Sequence, residues 1–122
     1  MADVKIDFVA RDLPHGGWGL VIVEEGPWPS ETMGDELRRL QNRLYDCLDV
    51  VLQGQFTSAY PESSGKPVMI RVDSYNINET ALRRFFETFS NGVLQIPDIA
   101  AALKDNDTVP TVLFELNCDT TS

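Results

Sequence analysis

SETMGDELRRLQNRLYDCLDVVLQG, residues 30–54, is the stretch whose reading decides how the chain folds. Met33, Leu37, Leu40, Leu44, Leu48, Val51 and Leu52 fall three, four or one apart, which stacks them on one side of a helix. Gly34, Asp35, Arg38, Arg39, Asn42, Arg43, Asp46 and Asp49 fill the other side. Ser30 is placed to cap the first amides, and Gly54 to supply the left-handed residue that ends such a helix. A stripe this apolar needs a partner layer, and the segments on either side alternate as strands do.

Upstream, Val4, Ile6 and Phe8 alternate with Lys5 and Asp7, the pattern of a half-buried first strand. The run Asp12 to Gly17, DLPHGG, reads as a turn. Trp18 to Val23 reads as a second strand, apolar on both faces and therefore expected inside the sheet or under a partner. Downstream, Tyr60-Pro61-Glu62-Ser63-Ser64-Gly65 is a turn signal, and Pro67 opens a third strand with Val68, Ile70 and Val72 inward. Asn78 caps a second helix whose apolar face is Ala81, Leu82, Phe85, Phe86 and Phe89. Asn91-Gly92 stops it, and Ile96-Pro97-Asp98 starts a short helix to about Lys104, with Ile99, Ala100 and Leu103 inward. Val109 to Leu116 is a fourth strand, and Asn117 to Ser122 a polar, frayed tail.

The order β-β-α-β-α-(α)-β predicts a two-layer α+β domain spanning residues 1–122. Its expected parts are a mainly antiparallel four-stranded sheet, two long helices and one short one. A chain of 122 residues is one domain's worth, and 43% apolar against 24% charged residues is ordinary for a globular protein. No apolar run reaches the ~20 residues of a membrane span, and MADVKIDF lacks the build of a signal peptide. The expected location is cytoplasmic. Nineteen acidic residues against ten basic ones give a net charge of −9. That charge argues against nucleic acid and anionic membrane as partners and permits a basic protein. Cys47 and Cys118 make no disulfide framework; a bridge between them is geometrically open but disfavoured in a reducing compartment.

Trp28-Pro29-Ser30-Glu31 leads into Leu37-Arg-Arg-Leu-Gln-Asn-Arg-Leu44, then Gln53-Gly54-Gln55-Phe56, Tyr60-Pro61, Gly65-Lys66 and Val68-Met69-Ile70-Arg71-Val72. This run, over roughly residues 4 to 90, resembles a small bacterial family known only as a domain of unknown function. Such chains are similar to the small cytosolic proteins that accompany toxins in bacterial competition loci. The resemblance implies an immunity role and supplies no catalytic residue.

Motifs that carry chemistry are weak. His15, the single histidine, sits in a glycine-rich turn with no nucleophile or second metal ligand near it in sequence. Gly16-Gly17-x-Gly19 leads into a strand, whereas phosphate-cradling loops open a helix. Asp105-Asn106-Asp107 fails the calcium-loop pattern, with Pro110 where the glycine belongs. Arg39 and Arg43 are at pairing distance from Asp46, which reads as a solvated charge lattice. No metal, cofactor or catalytic set is expected.

The segment from Glu24 to Glu36 stands out. Glu24, Glu25, Glu31, Asp35 and Glu36 crowd one loop and helix start, with Trp28 between two prolines. Acids favour a helix N-terminus in any case, and an indole there can pack back onto the helix. The functional expectation is a rigid acidic-aromatic surface of Glu24, Glu25, Trp28, Glu31, Asp35 and Glu36 that binds a basic protein. The leading expectation is thus a non-enzymatic protein-binding domain that neutralises a cognate toxin by occlusion. Its competitors are a homodimeric scaffold joined through Val21 and Val23, and a small-molecule binder or small enzyme using His15.

Overall fold

The computed structural model describes residues 8–11 and 17–119. The described residues form an α+β fold, with one four-stranded mixed sheet and four α-helices. The strands are β1 (Phe8–Ala10), β2 (Trp18–Glu25), β3 (Val68–Tyr75) and β4 (Val112–Asp119). The helices are α1 (Met33–Leu52), α2 (Gln55–Ala59), α3 (Glu79–Gly92) and α4 (Pro97–Asp105). Val4, Ile6, the turn residues 12–16 with His15, and the last three residues lie outside the described part.

The strands lie side by side in chain order, β1-β2-β3-β4. β1 runs antiparallel to β2, but β2 pairs with β3 in parallel, and β3 with β4 in parallel. The expectation of a mainly antiparallel sheet is therefore corrected. The reason is in the connections: each passage between the last three strands carries a long helix, which returns the chain to the starting end of the sheet. A strand that follows such a return runs parallel to its predecessor. Crossovers of one hand that step the same way leave both helices on one face. The core agrees, since Leu40, Leu44, Leu48 and Val51 of α1 and Leu82 and Phe86 of α3 pack with Leu20, Ile22, Ile70 and Val72.

Period-two burial runs cleanly along β3, where Val68, Ile70, Val72 and Ser74 are buried and Met69, Arg71 and Asp73 only half so. β2 lies inside the sheet as its two apolar faces predicted, and even Val21, away from the helices, is 2% exposed. α1 begins three residues after Ser30, and Thr32 flanks it without a side-chain cap. Gly54 does take the left-handed conformation, φ 84°, after α1 and immediately before α2. That short helix, and the 3₁₀ turn at Pro61–Ser63, fill a connection read from sequence as a turn. Phe56, at its start, meets Trp18 edge to face at 5.9 Å between ring centroids.

Asn78 caps α3 as expected, its Oδ1 accepting from the Ala81 amide at 3.0 Å. β4 starts three residues later than the sequence predicts and continues through Asn117 and Cys118, the start of the expected tail. The Asp105–Asp107 turn is built by Asn106. Its Oδ1 accepts from the amides of Thr108 (2.8 Å) and Val109 (3.0 Å), while its Nδ2 donates to the carbonyls of Val51 and Leu52, both at 3.2 Å. One amide side chain thus satisfies unpaired carbonyls at the end of α1 and sets the start of β4. Ala100, expected inward on α4, is exposed.

Candidate functional site

Strand parity decides the chemistry at the carboxyl end of β2. Leu20, Ile22 and Glu24 point to the helix layer, so Glu24 is carried inside with 3% of its surface exposed. A carboxylate taken from water needs charged donors in its place. α1 brings two, one turn apart on the same flank. Arg39 donates to Glu24 through Nη2 at 2.6 Å and Nη1 at 3.1 Å, and Arg43 Nη1 lies 2.5 Å from Oε2. Arg43 also donates to the Val23 carbonyl at 3.3 Å, and Arg39 Nε to Glu36 at 3.2 Å. The hydrogen bond to Glu24 is the largest influence holding the Arg39 guanidinium above its ordinary pKa, against the opposite pull of desolvation. A folded-state pKa raised in this way gives stabilisation that is fully present below the arginine's own range, so neutral pH lies on its plateau. The solvated pairing of Arg39 and Arg43 with Asp46 gives way to this clamp.

Trp28 is drawn in beside it. The indole is 6% exposed and joins the core, with the Arg39 guanidinium 5.8 Å from its ring centroid. Between Glu24 and Trp28 the chain passes Gly26, whose amide donates to the Tyr75 carbonyl at 2.7 Å. A Cβ at Gly26 would sit 1.9 Å from the Asn76 carbonyl oxygen, so glycine alone permits that approach. The loop is held at three successive points.

The six residues expected to form one surface therefore separate. Glu24 and Trp28 are internal and present nothing to a partner. Glu25, Glu31 and Asp35 are exposed, and Glu36, half-exposed, is engaged by Arg39. Asp35 stands 3.9 Å from Arg38, with both side chains about four-fifths exposed or nearly so, a pairing worth little. Sequence reading missed Arg39 and Arg43 as partners of Glu24. The signal was available in the parity of Leu20, Ile22 and Glu24, together with two arginines four residues apart.

The described surface also carries concavities away from this loop. A groove of about 630 Å³ separates α1 from α3, lined chiefly by Leu37, Tyr45, Phe85, Phe89 and Ile96, with Arg84 also in its wall. Tyr45 and Phe89 meet edge to face at 5.4 Å. A polar recess of about 370 Å³ opens at the carboxyl ends of β3 and β4. There Asn117 Nδ2 donates to Asp73 at 3.1 Å, Arg71 pairs with Asp73 at 3.0 Å, and Ser74 donates to the Asn117 carbonyl at 3.1 Å. Among the described residues no group of three or more His, Cys, Asp or Glu side chains is placed to hold a metal ion. Cys47 is buried on α1 and Cys118 is half-buried in β4, both as thiols. The parallel strands are laid down in one direction only, so their order never reverses to open the crevice where doubly wound sheets bind ligands.

Fold and site together define a two-layer α+β domain with a clamped acidic loop at one end of its sheet. No protein-family model matches the chain, and no curated protein and no solved structure matches it either. Among the described residues no helix is long and apolar enough to cross a membrane.

Proposed function

We propose that the chain is a non-enzymatic protein-binding domain of the bacterial immunity type, which neutralises a basic toxin by laying acidic side chains over its active site. The observation that carries this reading is the division of labour in the 24–36 segment. Glu24 and Trp28 are buried anchors, and the exposed Glu25, Glu31 and Asp35 project from the loop and helix start that they fix. A pre-ordered loop loses little freedom when it meets a partner. A net charge of −9 supports the same reading, because complementary charge speeds encounter with a basic surface. Val21 and Val23, the residues on which a homodimer was expected to rest, are buried and half-buried, so they offer no open apolar face. The groove between α1 and α3 favours a second reading, a binder of an apolar small molecule.

The test is affinity capture from lysate of the native organism at low and high salt, run with the wild-type chain and with Glu25→Lys/Glu31→Lys/Asp35→Lys. Glu24 is left out of the variant because its reversal would break the clamp. A single basic protein, held more loosely as salt rises and lost by the triple variant, is the expected result. Equal retention by the variant would remove the acidic loop from the binding surface.

A further inference from the structure

β4 is an edge strand, and its outer side is built in a way that edges seldom are. It runs eight residues, Val112–Asp119, in unbroken register with β3 from Val68↔Val112 to Tyr75↔Asp119. It contains no proline, glycine or lysine and no bulge, the devices that normally keep an edge from pairing. β1, at the opposite edge, has three described residues.

The register shows which main-chain groups are open. Val68, opposite Val112, donates to the Thr111 carbonyl at 3.1 Å. In a parallel ladder this turns the amides and carbonyls of Leu113, Glu115 and Asn117 toward β3, and those of Val112, Phe114, Leu116 and Cys118 outward. The hydrogen bond from Ser74 to the Asn117 carbonyl agrees with that phase. Among the described residues no hydrogen bond reaches the outward set. The side chains alternate the other way. Phe114 and Leu116 are half-buried toward the helices, while Leu113 (37% exposed) and Glu115 stand on the far face.

We propose that this edge takes an extended segment of the basic partner as a fifth strand. The inference rests on the reading of the chain as a protein-binding domain and names a second element of its surface. Charge selects the occupant. From Pro97 onward the chain carries Asp98, Asp105, Asp107, Glu115 and Asp119 against Lys104 alone. The nearest cation on β3, Arg71, is taken by Asp73. A second copy, itself at −9 overall, would be repelled, whereas a strand with lysine or arginine at alternate positions meets Glu115 with the opposite sign. Main-chain bonds then supply affinity and the alternate side chains specificity.

The experiment follows amide hydrogen exchange in the full chain, alone and with a capped peptide of alternating lysine and valine. A control peptide has the same lysines, with proline in place of two valines. In the free chain the Phe114 and Leu116 amides should exchange much faster than those of Leu113 and Glu115. The alternating peptide should slow them about tenfold or more, and the proline peptide should leave them unchanged. Glu115→Lys should weaken the alternating peptide severalfold, whereas Glu25→Lys/Glu31→Lys/Asp35→Lys should not prevent the protection. Slow exchange at Phe114 and Leu116 in the free chain would overturn the proposal. So would binding of neither peptide, or equal binding of both without protection. That last result would leave a basic partner at the acidic loop standing, so the two readings fail separately.

Discussion

Glu24 and Glu25 are neighbours in sequence and opposites in the molecule. Glu24 is buried under two guanidinium groups, and Glu25, one pleat further, is in water. Nothing in their chemistry separates them. The period of the strand does, because successive side chains leave opposite faces. The same contrast extends along the loop, where Trp28 is internal and Glu31 and Asp35 are not. Proximity in sequence made these residues look like one surface, but they are an anchor and a display.

The comparison breaks if the anchors can be removed without loss. Trp28→Ala should have the largest effect, about 4 kcal/mol of folding stability by chemical denaturation, because removing a large buried ring leaves a cavity in the shared core. A loss below about 1 kcal/mol would mean that Trp28 is a surface residue in solution. Glu24→Ala comes next. It strands Arg39 and Arg43 beside an empty acceptor site, and breaking a buried pair costs about 3–5 kcal/mol. The lower end, about 3 kcal/mol, is expected here, because Arg39 is already 46% exposed and can turn back to water. Replacing Glu24, Arg39 and Arg43 together by apolar residues of similar size should recover most of that loss, which single replacements cannot do.

Much of this frame is legible in the residues. The α1 stripe, the capping by Asn78, the left-handed Gly54 and the alternation of β3 all stand as read, because each is set by local geometry. Strand direction was legible in principle, since the order already contained two strand–helix–strand units, and each of those implies a parallel pair. Asn106 was not legible: its amide serves Val51 and Leu52, more than fifty residues away, and no spacing announces that contact. The candidate site was half legible. The exposed acids were in the pattern, but burial of Trp28 depends on α1 and the sheet closing over it.

The display side of the comparison gives the smallest effect on the fold. Glu25, Glu31 and Asp35 are exposed, and only Asp35 has an ion-pair partner among the described residues, Arg38 at 3.9 Å. Their reversal to lysine removes no packing and strands no buried group. Each single substitution should therefore change stability by no more than about 0.5 kcal/mol. Asp35→Lys should stand at the unfavourable end of that range, since it places a cation in the first turn of α1, where the helix favours anions. The same effect should shrink as salt is raised, which distinguishes a dipole and charge effect from lost packing. If Glu31→Lys instead destabilised the chain as strongly as Glu24→Ala, display and anchor would be one structural unit. Binding defects in the triple variant would then follow from the fold rather than from charge presented to a partner.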